Sequence, residues 1–175
     1  MRDAILDATV ALVRERGLRA VTMADIAARA GIGRATLYKY FGDADAILRA
    51  WHEREIDGHL AELISIKTGP GDAASRLAAV LERYATAAHT GRAGHDGELA
   101  LFLHRDEKVV AARHRLRHVL ADLVAEAAKA GQARQDIAAE ELAAYCMSAL
   151  SGAGELRSQA AMRRLVALTM IALKP

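Results

Sequence analysis

The chain has 175 residues, of which 53% are hydrophobic and 26% are charged, which is the balance of a folded protein and excludes a disordered one. Its 24 basic and 22 acidic residues leave a net charge of +2, so the total charge does not indicate a polyanionic partner. Prolines number only two, and alanine, leucine, arginine and glutamate dominate. This composition predicts an all-α fold.

Membrane and secretory signals are weak in this sequence. The apolar run LVALTMIAL near the C-terminus is too short to cross a bilayer, and charged residues stand at the N-terminus where a signal peptide has an apolar core. Cys146 is the only cysteine, so it forms no internal disulfide and is best explained as a small buried residue. We therefore expect a cytoplasmic protein with no membrane partner.

The first predicted helix covers residues 2–16. Its apolar residues recur at helical spacing on one stripe, at Ile5, Ala8, Leu12 and Val13. Gly17 follows at the position where a left-handed C-cap is expected, so the helix should end there.

Two short helices are predicted on either side of a glycine turn. Thr22 and Asp25 stand at capping-box spacing, so the second helix should begin at Met23 and end at Gly31. The sequence GIG is long enough only for a tight turn. The third helix is predicted over residues 34–41, with three inward-facing residues, Ala35, Leu37 and Phe41. This order is the helix-turn-helix pattern.

The third helix carries side chains suited to reading DNA. A helix in the major groove needs small or flat polar side chains, with cations that reach base edges or phosphates. Its exposed face is predicted to carry Arg34, Thr36, Tyr38, Lys39 and Tyr40. The start of the second helix, with the hydroxyl of Thr22, can bind a phosphate oxygen. The alternative is that Tyr38 and Phe41 are core residues and that Arg34 and Lys39 are solvated charges.

The local charge is more informative than the total. Between residues 14 and 39, six basic residues stand against two acidic ones, Glu15 and Asp25. The basic residues are Arg14, Arg16, Arg19, Arg29, Arg34 and Lys39. This local excess of positive charge favours a polyanionic partner.

Residues 5–50 carry a long spaced pattern: ILDA, RERG, T-x-x-DIA-x-x-AG, TLY-x-YF and a following apolar AIL. In this pattern the chain closely resembles the N-terminal DNA-binding domain of the TetR family of transcriptional regulators. The resemblance implies that the third helix is the recognition helix and that Thr22 and Tyr38 contact phosphates. The groove-facing residues that it implies are Arg34, Ala35, Thr36, Lys39 and Tyr40.

The resemblance also implies the organisation and the function. A helix-turn-helix domain at 1–45 is expected to precede a helical ligand-binding and dimerisation domain at 46–175. The implied protein is a homodimer and a ligand-responsive regulator, most often a repressor, which a small molecule releases from a palindromic DNA operator. No cofactor is expected.

Two residues depart from the family pattern. Gly33 stands where family members usually carry serine, which removes a hydroxyl from the turn before the third helix. Ala44 stands where they usually carry lysine, between Asp43 and Asp45. The second departure predicts the loss of a phosphate contact near two carboxylates.

The remaining helices are predicted from apolar periodicity and glycine breaks. A long helix is expected from Asp43, and its buried side is Ile47, Leu48, Trp51, Ile56, Leu60, Leu63 and Ile64. Asp72 should cap a helix that ends near His89, before a glycine-rich loop at residues 90–97. Further helices are expected over residues 98–104, 107–130, 140–157 and 159–173.

Two sites are predicted beyond the DNA-binding domain. Trp51 is large enough to line an effector pocket with Tyr84, Phe102 and His104, or it packs the junction between the domains. The last two helices resemble the dimerisation pair of the family. Their predicted dimer residues are Leu142, Tyr145, Ala149, Ala153, Leu165 and Leu168.

The sequence offers little support for an enzyme or a metal site. His114 and His118 stand four apart, the spacing at which two imidazoles can bind one metal ion, but Arg113, Arg115 and Arg117 would repel a cation. A solvated face is therefore the better explanation. No phosphate-binding loop, nucleophile elbow or paired-carboxylate motif is present. A metal-sensing or other helical binding protein remains the alternative to a ligand-responsive regulator.

Overall fold

The computed structural model describes residues 1–17, 20–94 and 107–175, without the side chains of residues 91–94 and 107. Within these ranges the chain forms eight α-helices and no strand, which confirms the predicted all-α fold. The helices are α1 (Arg2–Arg16), α2 (Met23–Arg29), α3 (Arg34–Tyr40), α4 (Ala44–Lys67), α5 (Ala73–Gly94), α6 (Glu107–Lys129), α7 (Ala139–Ser151) and α8 (Gln159–Ala172). A short 3-10 helix, Gly152–Glu155, follows α7.

The N-terminal helix boundaries follow from local signals, as predicted. Helix α1 ends at Gly17, whose φ of 84° is positive, although its ψ of 158° differs from that of a left-handed helical cap. Helix α2 begins with a complete capping box between Thr22 and Asp25. Gly31 has a φ of 67° in the turn before α3, a conformation that favours glycine.

The chain divides into two compact units, and the division falls inside α4 between Asp57 and Gly58. The first unit contains α1, α2, α3, the first half of α4 and the first two residues of α6. Its core is a cluster of apolar side chains that includes Ile5, Leu12, Ile26, Leu37, Ile47 and Trp51. This cluster fixes the two short helices against α1 and α4.

The second unit has its own core, built from the remaining helices. Members of this cluster include Leu77 and Leu81 of α5, Leu120 and Leu123 of α6, Leu150 of α7 and Met162 of α8. Cys146 is completely buried there, as predicted, and burial raises the pKa of its thiol to about 12. None of the described helices has the length and apolarity that a membrane crossing requires.

Several predicted boundaries and orientations were wrong. Helix α5 continues to Gly94, so residues 90–94 are helical where a loop was expected. The Thr90 hydroxyl donates to the Thr86 carbonyl at 2.9 Å within this helix, and a helix tolerates single glycines at a cost of about 1 kcal/mol. Ile64 is 45% exposed because the buried stripe of α4 passes through Leu60 and Leu63. The helix predicted over 98–104 lies outside the described residues.

Candidate DNA-binding surface

Two apolar side chains hold α3 in the first unit. Leu37 is completely buried, and Phe41, the C-terminal cap of the helix, is also buried. Ala35, in contrast, is exposed, so the prediction that it faces inward was wrong. Two successive residues turn a helix by about 200°, which places Ala35 and Leu37 on nearly opposite faces. The exposure of Ala35 fits the groove-facing role that the family resemblance implies.

The opposite face of α3 is exposed and carries the predicted polar and aromatic side chains. Tyr38 is 55% exposed and Tyr40 is 47% exposed, Arg34 and Lys39 are exposed, and Thr36 is half-buried. Tyr38 is therefore not a core residue, so the alternative in which both Tyr38 and Phe41 pack in the core is wrong for Tyr38. Two phenol hydroxyls and two cations consequently share one short exposed helix.

Two of the arginines counted in the local charge excess have carboxylate partners within the first unit. Arg29 of α2 binds Glu15 of α1 through two contacts, at 3.0 and 2.5 Å. Arg16 Nη1 lies 3.3 Å from Asp25 Oδ1. The hydrogen bonds from Arg29 lower the pKa of Glu15. These pairs cancel part of the positive charge that the sequence places here.

Arg34 and Lys39 differ, because neither forms an ion pair within the described part of the chain. Both stand on the exposed face of α3 and are therefore available to an external anion. Two of the cations counted in the local charge excess therefore stand exposed on the helix that the family resemblance assigns to base reading.

Thr22 was predicted both to cap α2 and to bind a phosphate, and the structure shows the capping role. Its hydroxyl donates to Asp25 Oδ2 at 2.5 Å, and the backbone N–H of Asp25 donates to the Thr22 hydroxyl at 3.2 Å. The hydroxyl of Thr22, and after it the backbone N–H of Thr22, which donates to the same carboxylate oxygen at 3.1 Å, lower the pKa of Asp25. Because a hydroxyl has one proton, Thr22 cannot donate to a phosphate while it donates to Asp25.

The two departures from the family pattern are also placed. Gly33 begins α3 with a φ of −72° and no side-chain cap, and a Cβ there would meet only Thr36 Oγ1 at 4.0 Å. The position therefore does not require glycine. Asp43 caps α4 by accepting a hydrogen bond from the Ala46 N–H at 2.7 Å. The carboxylate of Asp43 is thus used in the fold.

The predicted effector residues lie in different surroundings. Trp51 is 5% exposed and belongs to the core cluster of the first unit. Tyr84 is half-buried against the core of the second unit, where burial raises the pKa of its phenol. Phe102 and His104 lie outside the described residues. The common pocket for these four residues stays a prediction.

The predicted dimer residues divide into buried and exposed groups. Leu142 is 4% exposed and Ala153 is completely buried in the core of the second unit, so neither offers surface to a partner. Ala149 and Leu165 are half-buried. Tyr145 and Leu168 are 43% and 62% exposed. Apolar periodicity alone mixed core residues with surface residues.

The histidine pair on α6 is exposed, and one of its members lies near a carboxylate. His118 Nδ1 lies 3.8 Å from Glu140 Oε1, and the Arg117 Nε lies 3.1 Å from the other oxygen of the same carboxylate. Within residues 1–17, 20–94 and 107–175 no group of three histidine, cysteine or carboxylate side chains could hold a metal ion.

The first unit thus defines a helix-turn-helix DNA-binding protein, with α2 held by internal contacts and α3 presenting free cations. Residues 5–51 match the family described as "Bacterial regulatory proteins, tetR family", and residues 72–175 match "Transcriptional regulator SbtR-like, C-terminal domain". The chain belongs to the TetR family of transcriptional regulators. Members of this family are DNA-binding regulators, so the prediction that the chain is not an enzyme is confirmed.

Known transcriptional regulators resemble most of the chain in sequence or in fold. The HTH-type transcriptional regulator BetI of Serratia proteamaculans is 30% identical over 171 residues, which cover 91% of this chain and 86% of the relative. A TetR/AcrR family regulator of Thermobifida fusca has a TM-score of 0.81 at 19% identity, covering 97% of this chain and 96% of its own. The regulator FadR of Bacillus subtilis, solved with stearoyl-CoA, has a TM-score of 0.71 at 15% identity, covering 99% and 100%.

Proposed function

We propose that this chain is a homodimeric transcriptional repressor that binds a palindromic operator through α3 and leaves it when a small molecule binds. The observation that carries the proposal is the pairing of charges in the first unit. Arg16 at the end of α1 and Arg29 of α2 are bound to carboxylates, whereas the two cations of α3 are not. A folded domain that presents two unpaired cations beside two tyrosines on one exposed helix is suited to a phosphate-lined groove.

The roles of individual residues follow from their places on α3. Lys39 and Arg34 are assigned to base edges, with Ala35, Thr36 and Tyr40 beside them on the groove side. Tyr38 is assigned to a phosphate, because a phenol hydroxyl donates well to phosphate oxygen. Thr22 is assigned to the positioning of α2 through its capping box, so any phosphate contact there would use backbone N–H groups.

The dimer surface is assigned to the exposed side chains of α7 and α8. Tyr145 and Leu168 remain from the sequence-based set, and Ile171, which is 58% exposed, joins them. Exposed apolar side chains concentrated on two neighbouring helices are typical of a subunit interface. A two-fold dimer would present two copies of α3 and so favour a palindrome.

The effector is assigned to the helical domain at 46–175. FadR of Bacillus subtilis was solved in complex with stearoyl-CoA, which supports a small-molecule site in a similar helical fold. The ligand of this chain and the pocket of Trp51, Tyr84, Phe102 and His104 remain proposals. We assign the protein to the cytoplasm because a regulator must reach chromosomal DNA.

Selection of bound DNA from a random pool, followed by binding to full-site and half-site duplexes, tests the central proposal. We expect a dimer in gel filtration and a strong preference for a palindrome whose half-site centres lie about 34 Å apart or further. A monomer that binds one half-site as tightly as the full site would overturn it.

The effector proposal has its own test through thermodynamic reciprocity. A ligand that weakens operator binding by about 1–3 kcal/mol must bind the operator-bound protein more weakly by the same factor. Candidate ligands can be titrated against Trp51 fluorescence, with and without operator. Equal ligand affinity in both states, together with release of DNA, would contradict the proposed coupling, and unchanged affinity in Trp51→Phe would remove this residue from the pocket.

A further inference from the structure

Arg2 lies beside the end of the recognition helix and belongs to none of the sites predicted from the sequence. Its guanidinium carbon stands over the ring of Phe41, 5.5 Å from the ring centroid, within the range of a cation–π contact. Phe41 directly follows Tyr40, the last residue of α3. The start of α1 and the end of α3 therefore meet at an exposed cation.

The acidic residues nearest to Arg2 in sequence are committed elsewhere. Arg54 of α4 donates to Asp3 Oδ1 at 3.2 Å and also binds Asp7. Arg2 itself forms no ion pair with any residue that the structure describes. Its charge is thus left uncompensated, as the charges of Arg34 and Lys39 are.

The position of Arg2 relative to α3 places it where phosphates are expected. Helix α3 has seven residues and is about 10 Å long, close to the width of a major groove of about 12 Å. A helix of this length nearly spans the groove, so its ends lie near the two sugar–phosphate backbones that form the walls of the groove. A guanidinium held beside the end of α3 would therefore lie near a sugar–phosphate backbone.

We propose that Arg2 contacts a DNA phosphate and that the ring of Phe41 positions its guanidinium for this contact. When the flat face of a guanidinium lies on an aromatic ring, its N–H donors point outward along its edge and can bind phosphate oxygens. A guanidinium already held by a ring also loses less conformational freedom when it binds. The inference rests on the proposed binding of DNA through α3.

The salt dependence of DNA binding tests this contact. The full-length protein, Arg2→Gln and a control, Lys129→Gln, which removes an exposed cation from the second unit, are titrated with a selected duplex and with a random-sequence duplex. For Arg2→Gln we expect the slope of log K against log salt to fall by about 0.9 for each bound protomer, equally on both duplexes. Lys129→Gln should leave the slope unchanged.

A structural role for Arg2 predicts a different result. If Arg2 only covers Phe41, Arg2→Gln lowers the melting temperature and leaves the slope at the wild-type value, which would overturn the proposal. An equal change of slope in Lys129→Gln would overturn it too, because the effect would then be one of net charge. If the wild-type protein binds neither duplex, the proposed function itself fails.

The positioning by Phe41 is tested with Phe41→Leu, which keeps an apolar side chain in the core. We expect the effect of Arg2→Gln on the slope to shrink in the Phe41→Leu background, because the guanidinium is no longer held. Arg2→Lys should retain most of the slope but bind both duplexes more weakly than wild type. Full additivity of Arg2→Gln and Phe41→Leu would overturn the positioning role.

Discussion

Helices α2 and α3 have the same length of seven residues and belong to the same apolar core, yet their polar residues are used in opposite ways. Helix α2 begins with a complete capping box, and its two charged residues, Asp25 and Arg29, are paired with α1. Helix α3 begins at Gly33 without a side-chain cap, and neither of its cations has a partner within the described chain.

This difference separates a positioning helix from a reading helix. Hydrogen bonds and ion pairs within the protein fix α2, so its polar groups are satisfied before DNA arrives. Helix α3 is fixed by apolar burial alone, through Leu37 and Phe41, which leaves its polar face unsatisfied. Binding DNA then replaces water around these groups and does not require internal pairs to break.

The largest expected effect comes from the apolar anchor of α3. Leu37→Ala should lower the free energy of unfolding by about 2–5 kcal/mol, because a completely buried side chain is removed and a cavity remains. Urea unfolding of the first-unit core measures this loss. Val110→Ala, at a position that is 55% exposed, is the control and should change stability little. Equal losses in the two variants would show that burial does not hold α3.

The next effect is the loss of a reading side chain. Lys39→Ala should cost about 1–3 kcal/mol on the preferred operator and less on random DNA, because a base contact is lost. Tyr38→Phe should weaken binding to both DNAs similarly, since only a phosphate hydrogen bond disappears. Arg29→Gln on α2 is the matched control and should affect neither. Equal losses on both DNAs for Lys39→Ala would assign Lys39 to the backbone.

Removal of the α2 cap should have a smaller effect and act on the fold. Thr22→Ala should destabilise the protein by about 1 kcal/mol, whereas Thr22→Ser keeps the accepting oxygen and should be close to wild type. The folded-state pKa of Asp25 is lowered, so the part of the stabilisation that depends on the Asp25 carboxylate is present above its ordinary pKa of about 3.9 and is lost as pH falls through the lowered pKa. The hydrogen bond from the Asp25 N–H to the hydroxyl of Thr22 remains at acidic pH. Thermal unfolding from neutral to acidic pH measures the difference between Thr22→Ala and wild type, and a difference that does not shrink toward acidic pH would contradict this account.

The smallest effect should come from giving α3 the cap that it lacks. Gly33→Ser should stabilise the protein by roughly a few tenths of a kcal/mol. The backbone already has the extended conformation of an N-cap, and space is available for the side chain. Chemical denaturation measures the free energy of unfolding, and Gly33→Ala, which adds a side chain without a hydroxyl, is the control. A loss of stability in Gly33→Ser would show that the turn requires glycine.

Local signals were sufficient to predict the fold of the first unit. The capping box joins residues three apart, and Gly17 and Gly31 mark turns by their own conformational freedom. Leu37 and Phe41 are four apart on α3 and were correctly placed inside. The assignment of exposed side chains on α3 to DNA came from the family pattern, because spacing alone left a core position for Tyr38 open.

The contacts that select the functional cations could not be predicted, because they join residues that are distant in sequence. Arg29 meets Glu15 across 14 positions, and Arg54 meets Asp3 across 51. From the sequence alone, the paired residues Arg16 and Arg29 could not be distinguished from the unpaired residues Arg34 and Lys39. Apolar periodicity likewise could not separate Leu142 from Leu168, since both fit a helical stripe and only packing buries the first.

The preference of the protein for its operator over random DNA, measured on three double variants, tests the separation of paired and available cations most directly. Arg34→Gln with Lys39→Gln removes the cations of α3, Glu15→Gln with Arg29→Gln removes a neutral pair, and Lys129→Gln with Lys174→Gln removes two exposed cations from the second unit. We predict that the first variant loses about 1–3 kcal/mol of operator binding for each lost base contact and less on random DNA, and that the other two variants keep the wild-type preference. An unchanged preference in the first variant, or an equal loss of preference in the neutral-pair variant, would contradict the account.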